Sequence, residues 1–151
     1  MRYPEGMELL DSLKTKDLDQ ALRAVLDHFK CQMGTIHVIE PDGKLHLRAH
    51  TKGLPPEILE ASKVIPIGKG IAGLAAQNKK AMNMCNLHTD SDPRIPVKAK
   101  TSDMIGAICV PMLRGNDVMG TLGVAVMHER NFTKDEEDLL TQAGRVIAGQ
   151  V

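Results

Sequence analysis

Residues 35–50 read T-I-H-V-I-E-P-D-G-K-L-H-L-R-A-H, and they carry the strongest signal for the arrangement of the strands. Apolar and polar residues alternate on both sides of Asp42-Gly43, a dipeptide typical of a two-residue turn between antiparallel strands. We therefore predict strands at Thr35–Glu40 and Lys44–His50 that pair as a β-hairpin. The first two strands of the chain are thus expected to be antiparallel neighbours.

A two-residue turn also predicts the register, and with it the character of each face of the hairpin. The expected cross-strand pairs are His37 with Arg48, Ile39 with His46, and Thr35 with His50. One face then carries the apolar residues Ile36, Val38, Leu45, Leu47 and Ala49. The other face carries Thr35, His37, Ile39, His46, Arg48 and His50.

The mixed face of this hairpin admits two interpretations. Imidazoles beside a guanidinium can bind a carboxylate or phosphate through charge-assisted hydrogen bonds. Alternatively, these side chains form a solvated outer surface, which is the interpretation we favour for His46 and His50. We keep His37 and Arg48 as pocket candidates, because the first strand lies further inside sheets of this kind.

A second hairpin is predicted further along the chain, at Met104–Leu113 and Val118–His128. Short strands are expected at Val64–Ile67 and Ala81–Met84. Short helices are expected at residues 55–62 and 71–78, and the intervening stretch Asn86–Thr101 is interpreted as a loop. A loop of that length in a small domain is usually functional or covers a site.

Two amphipathic helices bracket the strands. Apolar residues recur at helical spacing after Asp17, which can form a capping box with Gln20. A second capping box, Thr133 with Glu136, opens a helix that runs almost to the end of the chain. The order helix, hairpin, short elements, hairpin, helix differs from the βαβ alternation of a doubly wound fold. We predict an α+β fold with a central antiparallel sheet of about six strands and both terminal helices on one face.

Gly68-x-Gly70-x-x-Gly73 follows a predicted strand and opens a helix, which imitates a dinucleotide-binding fingerprint. That fingerprint requires a βαβ unit with parallel strands, which this chain is not expected to contain. We interpret the glycines instead as a tight turn with positive φ angles, with Gly73 allowing close approach of the helix.

Composition excludes several classes of function. The 151 residues include 19 Lys+Arg and 19 Asp+Glu, one Tyr, two Phe and no Trp, so we expect no nucleic-acid binding. No apolar run approaches membrane-spanning length. Three widely spaced cysteines fit a reducing compartment, and we expect a cytoplasmic protein without membrane contact. The zero formal charge leaves self-association open.

Several of these motifs together resemble a known family. Ile65–Gly73, Asn83-Met84 and Asp92-Pro93-Arg94, followed by Gly106–Pro111, Gly120–Gly123 and Phe132–Asp138, look like the ordered signature of GAF domains. The resemblance implies an antiparallel sheet with a ligand pocket on one face and terminal helices on the other, which often pair two copies. We accordingly expect a homodimer, and we assign residues 1–16 to an N-terminal helical extension and 17–151 to the GAF domain.

Three subclasses of the family can be compared with this chain. Cyclic-nucleotide binders carry an Asn-Lys pair where Met127-His128 stand here, so that signature is broken. Free-methionine sulfoxide reductases need a cysteine near the glycine-rich turn, where this chain has Ala72, and another in the following loop. No cysteine occurs from Asn86 to Ile108, which disfavours both these reductases and the bilin binders.

From the sequence we therefore predict a non-enzymatic sensory domain that binds an unidentified small molecule, with no catalytic residues, no metal and an unknown cofactor. Its cover is expected at Ile71–Asn78 and Asn86–Thr101. Two alternatives remain: an interaction module with a vestigial pocket, and a redox enzyme of the free-methionine sulfoxide reductase type. The predicted ligand-binding residues are His37, Arg48, Met84, Asn86, His88, Ile105, Cys109 and Thr121.

Overall fold

The computed structural model of the protein describes residues 5–85 and 104–151. Its six strands form one sheet in the order β3-β2-β1-β6-β5-β4, in which every neighbouring pair is antiparallel. The predicted antiparallel α+β fold is confirmed. In chain order the elements are α1 (Glu5–Ser12), α2 (Leu18–Phe29), β1 (Met33–Ile39), β2 (Leu45–His50), α3 (Pro56–Ser62), β3 (Val64–Ile65), α4 (Gly70–Asn78), β4 (Met82–Met84), β5 (Gly106–Arg114), β6 (Asp117–Val126) and α5 (Lys134–Ala148).

Local hydrogen bonds set the ends of the two bracketing helices. The Asp17 carboxylate accepts from the Gln20 backbone N–H at the start of α2, and α2 ends where Lys30 adopts a left-handed conformation. At α5 the full capping box is present, since the Thr133 hydroxyl accepts from Glu136 N–H and the Glu136 carboxylate accepts from Thr133 N–H. A cap of this kind contributes about 1 kcal/mol to helix stability.

Helices α1, α2 and α5 pack together on one face of the sheet. Their apolar stripes meet the sheet through Ile36, Val110 and Leu122, which are fully buried. Each such side chain contributes about 1.5–3 kcal/mol when it is removed from water. Leu9 of α1 and Leu13 just after it, both inside the predicted extension, belong to the same core. The domain boundary at residue 17 stays a prediction.

The predicted register of the first hairpin is wrong. Opposite His37 lies Leu47 rather than Arg48, and opposite Ile39 lies Leu45 rather than His46. The two-residue turn would require Pro41 to donate a ladder hydrogen bond, and proline has no N–H. The chain closes instead over three residues, with Gly43 N–H donating to Glu40 O and Gly43 at a φ of +79°.

A bulge between Ile36 and His37 then restores the predicted register, so that Thr35 lies opposite His50 as predicted. Arg48 is the extra residue of this bulge. Because paired residues share a face, Leu45 and Leu47 lie on the His37 face, whereas His46 lies on the Val38 face. The predicted division into an apolar and a mixed face is therefore wrong for these three residues.

The glycine turn before α4 has the predicted form. Gly68 and Gly70 adopt φ angles of +91° and +63°, which favour glycine. A Cβ on Gly73 would lie 2.6 Å from the Pro66 carbonyl oxygen, so this glycine permits the close approach of α4 to β3. The interpretation as a tight turn, rather than a dinucleotide site, is confirmed. None of the helices within the described ranges has the length and apolar composition that a membrane crossing requires.

We expect Gly73→Ala to lower the free energy of unfolding by about 1–3 kcal/mol, because backbone must move to admit the new methyl group. Helix propensity alone would favour alanine and raise the free energy of unfolding, so the sign of the change distinguishes steric crowding from propensity. Gly123→Ala is the control, since its nearest foreign atom would be Thr35 Oγ1 at an ordinary 3.4 Å. Denaturant unfolding of both variants measures the difference, and an unchanged or raised stability of Gly73→Ala would contradict the crowding argument.

Candidate functional site

A cavity of about 300 Å³ lies on the face of the sheet opposite the helix layer. Its floor is formed by β1, β5 and β6, and its cover by α3, β3 and the start of α4. This volume is at the lower end of the range of small-molecule sites. The lining residues are Met33, Gly34, Thr35, His37, Leu54, Ile58, Ala61, Ser62, Val64, Ile65, Pro66, Lys69, Gly70, Ile71, Ala72, Met104, Ala107, Ile108, Cys109, Gly123, Val124 and Ala125.

Small residues on the central strands make room for this cavity. Ala107 and Ala125 face each other across β5 and β6, and Gly123 lies opposite Cys109. Met33 and Met84 pack with the two alanines in a separate apolar cluster, with Ile71 and Met104 at its edge. The floor is therefore an apolar surface edged by flexible methionine side chains, which adapt readily to the shape of an occupant.

His37 is a buried polar residue of the cavity wall. Its side chain is buried, and Nε2 lies 2.7 Å from the Ser62 carbonyl oxygen at the end of α3. Burial lowers the pKa of His37 below the usual value near 6.5, and this outweighs the opposing effect of the Ser62 hydrogen bond. The neutral imidazole is therefore favoured at pH 7.

A neutral imidazole donates from one nitrogen and accepts at the other. The Ser62 carbonyl can only accept, so Nε2 carries the proton and Nδ1 is an acceptor. Nδ1 is buried and has no hydrogen-bond partner among the described residues. An unsatisfied buried acceptor costs about 1–3 kcal/mol, which makes this nitrogen a candidate contact for an occupant.

Thr121 pairs with His37 across β1 and β6 and is also fully buried. Its hydroxyl has no hydrogen-bond partner among the described residues. Burial raises the pKa of the nearby Cys109 thiol to about 12, and the Thr121 hydroxyl offsets this rise only in part. The contact between Thr121 and Cys109 lacks hydrogen-bond geometry, and Cys109 remains a protonated thiol at neutral pH.

The structure brings some of the predicted site residues together and separates others. His37 and Cys109 line the cavity, and Thr121 adjoins His37. Met84 packs with the floor residues Ala107 and Ala125 but is outside the lining. Ile105 is also outside the lining, and its N–H donates to Val126 O at 2.8 Å. Asn86 and His88 lie outside the described residues, as does the predicted cover loop Asn86–Thr101.

Arg48 is not part of the cavity lining. As the bulge residue of β2 it is exposed, and its guanidinium pairs with the Glu40 carboxylate at 3.1 Å. His46 contacts the same carboxylate and Asp42 at 3.0 Å and 2.8 Å. Of the two interpretations of the mixed face, the anion site is thus not formed by Arg48 and His46, which belong to a surface ion-pair network.

Sequence reasoning missed the contribution of α3 to the cover. Ile58 and Ser62 line the cavity, and Ser62 fixes the His37 tautomer through its backbone carbonyl. A backbone acceptor leaves no signal in residue identity. The available signal was the apolar Ile58 in a short helix otherwise treated only as a connecting element.

A second cluster, the Arg130 junction (Asn83, Cys85, Arg130, Glu136 and the Phe29 carbonyl), connects β4 to the helix layer. Arg130 N–H donates to Cys85 O at 3.3 Å, and Asn83 Nδ2 donates to Phe132 O at 2.9 Å. The Arg130 guanidinium donates to Phe29 O at the end of α2 at 2.7 Å and to Glu136 of the α5 cap at 2.5 Å.

The Arg130 junction is only partly exposed, and its charges are matched. The Arg130 guanidinium also lies 4.3 Å from the centre of the Phe132 ring. Burial acts to raise the pKa of Glu136, but hydrogen bonds from Thr133 and Arg130 hold it below the usual value. The carboxylate is therefore ionised at neutral pH and keeps both partners.

A six-stranded antiparallel sheet with a helix layer on one face and a covered cavity on the other defines an α+β class of domain. The model of the GAF domain family matches residues 15–149, and the chain belongs to this family. No curated protein compared with the chain matches it.

Solved structures of low identity share the fold. The GAF domain of an Acinetobacter phosphoenolpyruvate-protein phosphotransferase matches with a TM-score of 0.77 at 21% identity, covering 99% of this chain and 94% of that one. The free methionine-R-sulfoxide reductase of Neisseria meningitidis, solved with its substrate, matches with a TM-score of 0.77 at 16% identity, covering 99% and 92%. A type II reductase from Thermoplasma acidophilum matches at 0.74 and 19% identity, covering 94% of each chain.

Proposed function

We propose that this chain is a non-enzymatic regulatory GAF domain that binds a small molecule in the cavity and transmits binding to its terminal helices. The observation that carries the proposal is the apolar cavity of about 300 Å³ with a buried, unpartnered His37 Nδ1 in its wall. An acceptor kept without a partner in an apolar wall is costly unless an occupant satisfies it.

The two alternatives make different demands on the same cavity. A vestigial pocket would be filled by side chains, whereas alanine and glycine on β5 and β6 leave space at its floor. A thiol-based reductase needs a thiolate at the reacting centre, and Cys109, which lines the cavity, has a pKa raised to about 12. Both observations favour binding without turnover.

Transmission to the helices is proposed to run through the Arg130 junction. Met84 packs against the cavity floor, and Cys85 next to it accepts the Arg130 backbone N–H. The Arg130 side chain contacts the end of α2 and the cap of α5. A displacement of β4 by an occupant would therefore reach both helices through one side chain, provided the occupant binds the two arrangements with different affinity.

Ala107→Leu and Ala125→Leu are expected to abolish ligand binding by filling the cavity. In a thermal-shift screen of metabolites, a ligand present at about 100 times its Kd should raise the Tm of the wild type by about 5–10 °C. Neither variant should show this shift. Ala24→Leu, the same change on α2 beside the opposite core, is the control and should retain it.

The screen also distinguishes the alternatives. Free methionine sulfoxide is included, and its reproducible consumption by the wild type would overturn the non-enzymatic proposal. An absence of any stabilising compound, together with a purified protein free of small molecules by native mass spectrometry, would favour the vestigial pocket.

Arg130→Gln is expected to uncouple the helices from the cavity. Ligand-dependent changes in hydrogen exchange at the end of α2 and the start of α5 should disappear, while affinity in the cavity changes by less than about three-fold. The free energy of unfolding should fall by about 1–3 kcal/mol, because the Phe29 carbonyl loses a buried donor. Arg145→Gln on the exposed side of α5 is the control. Helix responses that persist in Arg130→Gln would refute this route.

We also propose that two copies pair through the layer of α1, α2 and α5. The zero formal charge gives little repulsion between copies, and Met7 of α1 is 48% exposed. Light scattering at rising protein concentration should show a dimer, and a monomer throughout would exclude this pairing.

A further inference from the structure

We propose that the cavity selects neutral, mainly apolar molecules that carry an N–H or O–H donor, and that His37 Nδ1 accepts this hydrogen bond. The inference rests on the proposed binding function and specifies its ligand class. It differs from the carboxylate or phosphate ligand that one of the two interpretations of the hairpin face suggested.

The hydrogen-bond polarity follows from one contact. His37 Nε2 lies 2.7 Å from the Ser62 carbonyl oxygen, which can only accept, so the proton of the neutral ring is on Nε2. Nδ1 is left as an acceptor without a partner among the described residues. A ligand that brings another acceptor to this position meets two facing lone pairs, whereas an N–H or O–H group forms a hydrogen bond.

The charge of the ligand follows from the lining. Among the described lining residues, Lys69 is the one with a formally charged side chain, and it is exposed at the rim. The rest of the described lining is mainly apolar, and its polar side chains, Thr35, Ser62, Cys109 and the neutral His37, carry no charge. An ion transferred into these surroundings loses its hydration and finds no buried counter-charge among the described lining residues, which is costly. Arg48, the counter-charge expected from the sequence, pairs with Glu40 at the surface.

Thr121 adds tolerance rather than selection. Its hydroxyl is buried beside His37 without a partner among the described residues, and a hydroxyl can donate or accept. An acceptor next to the donor on the ligand is therefore compatible with the site but not required. Selection between ligands falls to His37, whose polarity is fixed by Ser62.

The experiment uses three probes of one shape: indole, 1-methylindole and indole-3-carboxylate. Indole has a neutral N–H donor, its N-methyl derivative lacks it, and the third carries a charge. By calorimetry or ligand-observed NMR, wild-type protein should bind indole at least about ten-fold more tightly than either of the others. The N-methyl derivative loses the buried hydrogen bond, and the carboxylate must give up its hydration in an uncharged cavity.

Three variants test whether the preference for indole over 1-methylindole comes from His37 Nδ1. His37→Phe keeps a ring in the wall but cannot accept, and it should bind indole and 1-methylindole within about two-fold of each other. Thr121→Val should retain most of the preference for indole. His50→Phe is the matched control, because that imidazole is exposed and bonded to the Thr51 carbonyl, and it should behave as wild type.

Nitrogen-15 NMR of the imidazoles provides a second readout on the unmodified protein. His37 should be neutral with the proton on Nε2 at pH 7, and its Nδ1 resonance should shift with indole but not with 1-methylindole. A proton on Nδ1, or an imidazolium, would overturn the inference without any reference to a ligand.

The binding results separate this inference from the proposed function. Equal affinity for indole and 1-methylindole, or tighter binding of the carboxylate, overturns the neutral-donor assignment while the cavity remains a binding site. Absence of binding by all three probes also overturns the assignment. The proposed function is judged independently by whether Ala107→Leu and Ala125→Leu lose the response to compounds from the wider screen.

Discussion

The missing N–H of Pro41 determines the register of the first hairpin, and with it which side chains lie on each face of the sheet. Without that donor the hairpin cannot close over Asp42-Gly43 alone, so it closes over three residues and slips its register by one. The bulge between Ile36 and His37 restores the predicted register after the pairs from Ile39–Leu45 to His37–Leu47. Between the two defects, leucines replace polar side chains on the cavity face, and Arg48 leaves the ladder for an ion pair with Glu40. The placement of Leu45, Leu47 and Arg48 depends on this local backbone event.

The fold was predictable because its signals are local and repeated. Both helix starts carry side-chain caps, the amphipathic stripes have helical spacing, and short turns connect β1 to β2 and β5 to β6, which pair as hairpins. The glycine turn was also predictable, since Gly68 and Gly70 need positive φ and Gly73 needs the absence of a Cβ. Each of these requirements falls on a side chain, or on its absence, and is therefore visible in residue identity.

The site was harder to predict because its chemistry depends on backbone atoms and on register. A single-residue shift moves every side chain of a strand to the opposite face, so an error at Pro41 was enough to misplace Leu45, His46 and Leu47. The tautomer of His37 is set by the Ser62 carbonyl, an atom that every residue possesses. The same imidazole beside a side-chain donor would present the opposite polarity to the cavity.

Affinity and signalling place different demands on the two faces of the sheet. The edge strand β4 has contacts with the cavity floor on one side and with the helix layer on the other. An apolar floor gives an occupant favourable contact in any orientation, whereas one acceptor in the wall gives it direction. Direction matters for signalling, because a ligand shifts an equilibrium only through its different affinity for two arrangements. In the proposed mechanism, a ligand anchored at His37 would press from a defined position on the methionine cluster that contains Met84. Asn83 and Arg130 would then pass a displacement of β4 to the ends of α2 and α5, where a change of one hydrogen bond alters the start or end of a helix.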